Sequence, residues 1–141
     1  MHIVGSAKCG WEIFLPAIHS PNAPISKHIP NSNEIQWFSS PNYPDHYPAN
    51  TTCVWKLSGP AMYEYDLQFS DFDTKTGDTV KVSGGWNFKR LNVLKILQGN
   101  MASLNQTSFR LRRLGQVEFV SDGSSQGKGF IASVRYGMSM L

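Results

Sequence analysis

Apolar and polar residues alternate along much of this chain in short runs with a period of two, the spacing of half-buried strands. Cys53, Trp55 and Leu57 fall on one side of such a run, with Val54, Lys56 and Ser58 on the other. Tyr65, Leu67 and Phe69 alternate in the same way with Asp66, Gln68 and Ser70. Val80 and Val82 alternate with Thr79, Lys81 and Ser83, and Gly84-Gly85 is expected to break that run. Leu94 and Ile96, with Lys95 and Leu97, predict another short strand, stopped by Gln98-Gly99-Asn100. Phe109 and Leu111 alternate with Arg110 and Arg112, and Leu114-Gly115 turns the chain into Gln116–Ser121, where Val117 and Phe119 face in and Glu118 faces out. The last strand sets Phe130, Ala132, Val134 and Tyr136 against Ile131, Ser133 and Arg135. No helical stripe of useful length appears. The pattern predicts an all-β sandwich of about eight to ten strands.

Ahead of the Cys53 run lies turn chemistry. Pro41, Asn42, Pro44, Asp45, Pro48 and Asn50 cannot continue a helix or a central strand, so Ser39–Leu57 reads as a rigid loop delivering a core strand. Residues 10–35 form an extended arm with Pro16, Pro21, Pro24 and Pro30, and residues 36–136 form the sandwich core. Ile13 to Leu15 is expected to make a short strand and Glu34 to Phe38 to begin the sandwich. The remainder of the arm is expected to cross the surface as a loop that packs down in part through its apolar residues.

Size and composition fit this picture. At 141 residues the chain is most simply one domain, large enough to bury a core. Charged residues make up 16% and aromatics 12%, with 12 glycines and 8 prolines, a balance suited to short strands and tight turns. The net charge of +3 comes without a block of like charge, which argues against a nucleic-acid tail. No segment is apolar for long enough to span a bilayer. Met1 to Cys9 lacks the basic region and long apolar run of a signal peptide, so a mature or excised piece of an exported protein is expected. Asn50-Thr51-Thr52 and Asn105-Gln106-Thr107 are glycan acceptors in an exported chain, at Asn50 and Asn105. The two cysteines allow one disulfide or two free thiols.

Catalytic chemistry finds no footing. Gly123-Ser124-Ser125-Gln126-Gly127 has the spacing of a nucleophile elbow, but that motif needs a strand-turn-helix setting and a later histidine, and the last histidine here is His46. His2, His19, His28 and His46 are scattered without metal-ligand spacing. Lys89, Arg90, Lys95, Arg110, Arg112 and Arg113 gather in the middle third. They form either a solvated edge guarded by charge or a face for an acidic partner. Trp86-Asn87-Phe88 is expected in the loop after Gly84-Gly85, as a contact surface or as a flap over the sandwich edge.

The order of several short motifs resembles the CUB domain, an extracellular module built as a jelly-roll-like sandwich of two antiparallel sheets. They are Cys9-Gly10, Ser40-Pro41-Asn42-Tyr43-Pro44 with Tyr47-Pro48, Cys53-Val54-Trp55, Phe72-Asp73, Gly77-Asp78-Thr79-Val80, Val120-Ser121-Asp122-Gly123-Ser124 and Gly127-Lys128-Gly129-Phe130. The resemblance implies a disulfide between Cys9 and Cys53. A second family bridge is absent, because Thr76-Gly77 and Gln98 stand where its cysteines would be. It also implies a candidate calcium site in which Tyr47, Asp78, Asp122 and Ser124 match the family's ligands. Lys75 stands in place of the family's glutamate, with Asp73 as a displaced substitute. Hard oxygen ligands suit Ca²⁺, whereas an ammonium there would replace the ion with a salt bridge to Asp78 and Asp122. The function implied is non-catalytic binding of an extracellular protein through the loops carrying Tyr47, Lys75, Asp78 and Asp122. One alternative is an acidic glycan, as in the single-domain secreted spermadhesins, met by the basic strand of Arg110 and Arg112 and the loop of Trp86 and Phe88. Another is a regulatory domain of a larger protease or receptor. Neither nucleic acid nor a membrane span is expected.

Overall fold

Short alternating runs close on one another as strands, and their burial shows which face each one hides. The computed structural model describes residues 8–10, 12–14, 35–58, 63–100 and 108–138, and every regular element among them is a strand. In chain order these are β1 (Lys8–Cys9), β2 (Glu12–Phe14), β3 (Ile35–Ser39), β4 (Thr52–Ser58), β5 (Tyr63–Asp73), β6 (Thr79–Asn87), β7 (Arg90–Leu97), β8 (Ser108–Arg112), β9 (Leu114–Val120) and β10 (Gly129–Met138). One sheet runs β1-β4-β9-β6-β7, with β2 also paired to β4, and the other runs β3-β10-β5-β8. The long strands pair antiparallel throughout; only the short β1 and β2 lie parallel to β4.

The period-two reading holds best in the middle of each sheet. Cys53, Trp55 and Leu57 of β4 are fully buried, and Val117 and Phe119 of β9 lie beside them in register. Val80 and Val82 of β6 complete that inner face, while Leu67, Phe69, Phe130, Ala132 and Val134 cover it from the other sheet. Phe130 sits at the centre. Its ring lies 5.6 Å from Trp55 and 5.9 Å from Phe119 across the sandwich, and 5.3 Å from Phe69 and 6.1 Å from Phe38 within its own sheet. Burying each such side chain stabilises by about 1.5–3 kcal/mol, and edge-to-face packing of the rings adds to that.

Cys9 and Cys53 are disulfide-bonded, with Cα atoms 4.6 Å apart and directly opposite in the β1–β4 register. The bridge fastens the N-terminal end of the described chain to the core strand. Gly10 follows it with φ 101°, and a Cβ there would run into the backbone of Val54.

Two expectations need correction. Gly84-Gly85 does not end its strand: β6 continues to Asn87, pairing Gly84 with Asn92 and Gly115. Without a Cβ at Gly84, the methyl groups of Leu111 and Leu94 lie over the backbone, each 3.5 Å from where a Cβ would stand. Trp86 and Asn87 therefore belong to β6 rather than to a loop. The run containing Leu94 and Ile96 is a strand, but of its residues only Leu97 is buried. It lies at the sheet edge, beyond the reach of the second sheet, so Val93, Leu94 and Ile96 stay exposed. The expected Ile13–Leu15 strand is observed at Glu12–Phe14 and the expected Glu34–Phe38 strand at Ile35–Ser39. The remaining arm, the signal-peptide reading of the first residues and the acceptor Asn105 lie outside the described residues, and so does the side chain of Tyr136.

Candidate functional site

Three loops meet at one end of the sandwich, and each is held by an identifiable local device. The first runs from Pro41 to Thr51, where Tyr47 N–H donates to Gly127 O at 3.0 Å and Asn50 N–H to Asp122 O at 3.0 Å. The second is the turn from Lys75 to Asp78, closed by Asp78 N–H donating to Lys75 O at 2.9 Å. Gly77 occupies its third position with φ 95°, a backbone region that favours glycine. The third runs from Ser121 to Lys128. Ser121 clasps the first loop, since its Oγ accepts from Thr51 N–H at 3.0 Å and donates to Pro48 O at 2.7 Å.

The four residues expected as calcium ligands converge here in one hydrogen-bonded chain. Tyr47 is buried with its ring 4.9 Å from Phe119, and its hydroxyl donates to Asp78 Oδ2 at 2.6 Å. Asp78 is fully buried, and its Oδ1 accepts from Asp122 N–H at 2.8 Å. Asp122 Oδ1 in turn accepts from Ser124 N–H at 3.0 Å and Ser124 Oγ at 2.9 Å. Burial, followed by donation to Asp78, pushes the Tyr47 phenol up to about 12. The backbone N–H and then the hydroxyl of Ser124 hold the Asp122 carboxyl below its ordinary value.

Lys75 enters this network through its backbone. Its N–H donates to Tyr47 Oη at 3.0 Å, and its carbonyl accepts from Asp78. The expected salt bridge to Asp78 and Asp122 does not form: the side chain is exposed, and none of the ion pairs among the described residues includes it. The physical reason is that Asp78 is already satisfied. Tyr47 and the Asp122 backbone occupy its two oxygens, and a buried carboxylate with two good donors gains little from a solvated ammonium.

As a calcium site, the donor set falls short. The ion takes six to eight oxygens and is favoured by several carboxylates. Two carboxylates stand here, both oxygens of one already accept protein hydrogen bonds, and a lysine holds the third position. Asp73, the displaced substitute, lies at the end of β5 with its backbone bridged to Asn100. No group of three or more His, Cys, Asp or Glu placed to hold a metal occurs among the described residues.

Of the other candidates, Arg110 and Arg112 lie on β8, Trp86 on β6 and Phe88 in the turn after it. Arg110 donates to Glu64 at 2.9 Å and to Asp66 at 2.6 Å, and Arg112 donates to Glu64 at 2.7 Å. The basic strand is thus matched by the acidic neighbours that β5 sets opposite it in register, and these arginines hold the Glu64 carboxyl below its ordinary value. Trp86 and Phe88 part company: Phe88 is half-buried with Lys56 Nζ 5.4 Å from its ring centre, whereas Trp86 is 69% exposed, with the Arg113 guanidinium 5.0 Å above it. Ser124 precedes β10 rather than a helix, so the elbow spacing has no catalytic setting. Asn50 is exposed, and its side-chain amide lies 3.3 Å from where a Cβ on Gly123 would be.

Several residues of the site escaped the sequence reading. Gly77 gives Asp122 its seat, because a Cβ there would collide with Asp122 Oδ2. Tyr43 Oη donates to Asp71 Oδ2 at 2.7 Å while Lys128 Nζ reaches the same oxygen at 2.9 Å, tying the first and third loops to β5. No spacing rule pairs such distant residues. The Ser121 clasp has no signal either, since serines in loops are common.

Comparison with known proteins adds to this geometry. A family model described as CUB domain matches residues 27–134. Cubilin of Sus scrofa is 35% identical over 101 residues, which cover 68% of this chain and 3% of cubilin. Bone morphogenetic protein 1 of Xenopus laevis is 30% identical over 101 residues, covering 67% of this chain and 14% of that protein. The chain therefore spans a small part of the length of these relatives. Among solved structures, the MASP-1 CUB2 domain bound to Ca²⁺ superposes with a TM-score of 0.59 at 22% identity, covering 74% of this chain and 94% of that one, a likeness of fold.

Proposed function

This chain belongs to the CUB domain family, and from that premise we propose that it is a non-catalytic extracellular module that binds a protein partner through its end loops. The observation that carries this reading is the convergence of Tyr47, Asp78, Asp122 and Ser124 on one hydrogen-bonded end, beneath the exposed side chain of Lys75. Interlocking the three loops fixes their shape before a partner arrives, which lowers the ordering cost of binding. Lys75 then offers an exposed cation, and Asp122 a partly exposed carboxylate, in the interlocked loops, opposite signs suited to a polar protein surface. The Cys9–Cys53 bridge is consistent with an oxidising compartment. Among the described residues no helix is long and apolar enough to cross a membrane.

Calcium takes no part in this reading, because the hydrogen-bond chain already joins the loops. A direct test is affinity capture from extracellular fluid with wild-type protein, Lys75→Glu and Asp122→Asn, each with and without chelator. The expected result is a partner held by wild type, weakened in both variants and indifferent to chelator. A partner released by chelator, or one retained equally by all three proteins, would refute the proposal. A second reading, that the module serves as one recognition unit of a longer protein, is supported by the small share of each relative that it spans. The glycan reading loses support, because Arg110 and Arg112 are already paired with Glu64 and Asp66.

A further inference from the structure

A strand at the rim of a sheet presents unpaired N–H and C=O groups along its outer side, and folded proteins normally shorten, cover or charge such a strand. β7 is a rim strand of eight residues that pairs only with β6 among the described residues. It is also apolar: Val93 is 52% exposed, Leu94 49% and Ile96 57%. Val93 stands opposite Ser83 and Ile96 opposite Lys81, and alternation puts Ser83 and Lys81 on one face, so Val93 and Ile96 share that face. Two exposed apolar side chains on one face of a free edge are what an added strand would cover.

The charge around this edge has a single sign. From Thr79 to Asn100 the chain holds Lys81, Lys89, Arg90 and Lys95, and neither aspartate nor glutamate. Lys81 is matched by Glu118 at 3.2 Å on β9. Lys89, Arg90 and Lys95 are exposed, and none of them enters an ion pair among the described residues.

We propose that the free edge of β7 is a second interaction surface, which receives an acidic extended segment of a partner protein as an additional strand. Strand addition draws affinity from main-chain hydrogen bonds and specificity from alternate side chains. Here the alternate positions would offer apolar contact with Val93 and Ile96 and ion pairing with Arg90 and Lys95. The same cations exclude the commonest rival occupant. A second copy of this chain would bring its own Lys89, Arg90 and Lys95 to the seam, and like charges across paired strands repel. Lysine on a rim strand guards against neutral and basic strands, and the guard fails only against an acidic one. This surface involves none of the end-loop residues, so it stands or falls separately from them.

The test uses the full 141-residue chain and labelled, end-blocked octapeptides of alternating Val-Glu, Ser-Glu and Val-Lys, followed by fluorescence anisotropy at two salt concentrations. The Val-Glu peptide should bind, more weakly at higher salt, with Ser-Glu and Val-Lys roughly tenfold weaker or worse. Joint Arg90→Glu and Lys95→Glu substitution should weaken Val-Glu binding roughly tenfold. Joint Val93→Thr and Ile96→Thr substitution, which keeps β-branched residues, should weaken it as well, whereas Asp122→Asn should leave it unchanged. Amide hydrogen exchange should slow along β7 when the peptide is bound. Absence of Val-Glu binding, equal binding of Val-Glu and Ser-Glu, protection confined to the end loops, or self-association through β7 in sedimentation would each overturn the proposal.

Discussion

The Tyr47 hydroxyl donates a 2.6 Å hydrogen bond to Asp78 Oδ2 in a setting where both residues are almost wholly buried. The same oxygen of Tyr47 accepts from the Lys75 backbone at 3.0 Å, so one phenol joins two of the three loops. Tyr47→Phe keeps the ring against Phe119 and removes both bonds. A lost hydrogen bond to a buried charged group costs about 1.5–3 kcal/mol. The expected outcome is a fall of about 2 kcal/mol in unfolding free energy, read as a lower urea midpoint at unchanged slope.

Alkali should loosen the same end. The Tyr47 phenol is raised to about 12 by burial and then by its bond to Asp78, and Tyr43 is raised to about 12 chiefly by its bond to Asp71. A raised phenol holds its proton more tightly folded than unfolded, so its contribution is fully present below the unfolded value, near 10. It is lost as pH climbs through about 12. Denaturation midpoints should therefore drop over that interval, and Tyr47→Phe should drop less steeply. An equal slope in the variant would remove Tyr47 from the account.

Glu64 carries a prediction about charge display. It accepts from Arg110 at 2.9 Å and Arg112 at 2.7 Å at once. Glu64→Gln leaves the shape and frees charge on both guanidinium groups. The variant should elute from immobilised heparin at higher salt than wild type. Identical elution would show that the edge of β8 meets no polyanion even when unmasked.

The Cys9–Cys53 bridge closes a sequence separation of 44 residues. On the chain-entropy estimate a loop of that length is worth about 4 kcal/mol. Joint Cys9→Ala and Cys53→Ala substitution should lower the melting temperature markedly. Reduction of the wild type should reproduce the shift.

The sequence was a good guide wherever one side of a strand meets the second sheet. Leu67, Val82 and Val117 alternate with polar neighbours because burial imposes a period of two, and a period is visible in letters. It was a poor guide at the rim. The run of Leu94 and Ile96 was legible as a strand but not as an exposed edge, because hydropathy does not record which strand comes last in a sheet. Gly84-Gly85 read as a stop, although the missing side chains make room for Leu94 and Leu111 over a continuing strand. Tyr47, Asp78, Asp122 and Ser124 were legible through the family resemblance, which preserves spacing. The part Lys75 plays in joining the loops was not: that comes from its backbone N–H and C=O, which every residue except proline carries, so its identity gave no hint of it.

Phe130 touches rings from β3, β4, β5 and β9 while standing on β10, so a single side chain is shared by both sheets. Neither sheet can part from the other and keep a filled interior. Melting of one sheet ahead of the other has no stable halfway state, and the sandwich should unfold all at once. Tryptophan fluorescence and far-ultraviolet circular dichroism should then trace coincident transitions, in Phe130→Leu at lower denaturant as in the wild type at higher. To a partner or a protease this module would be present either as a complete surface or as an open chain.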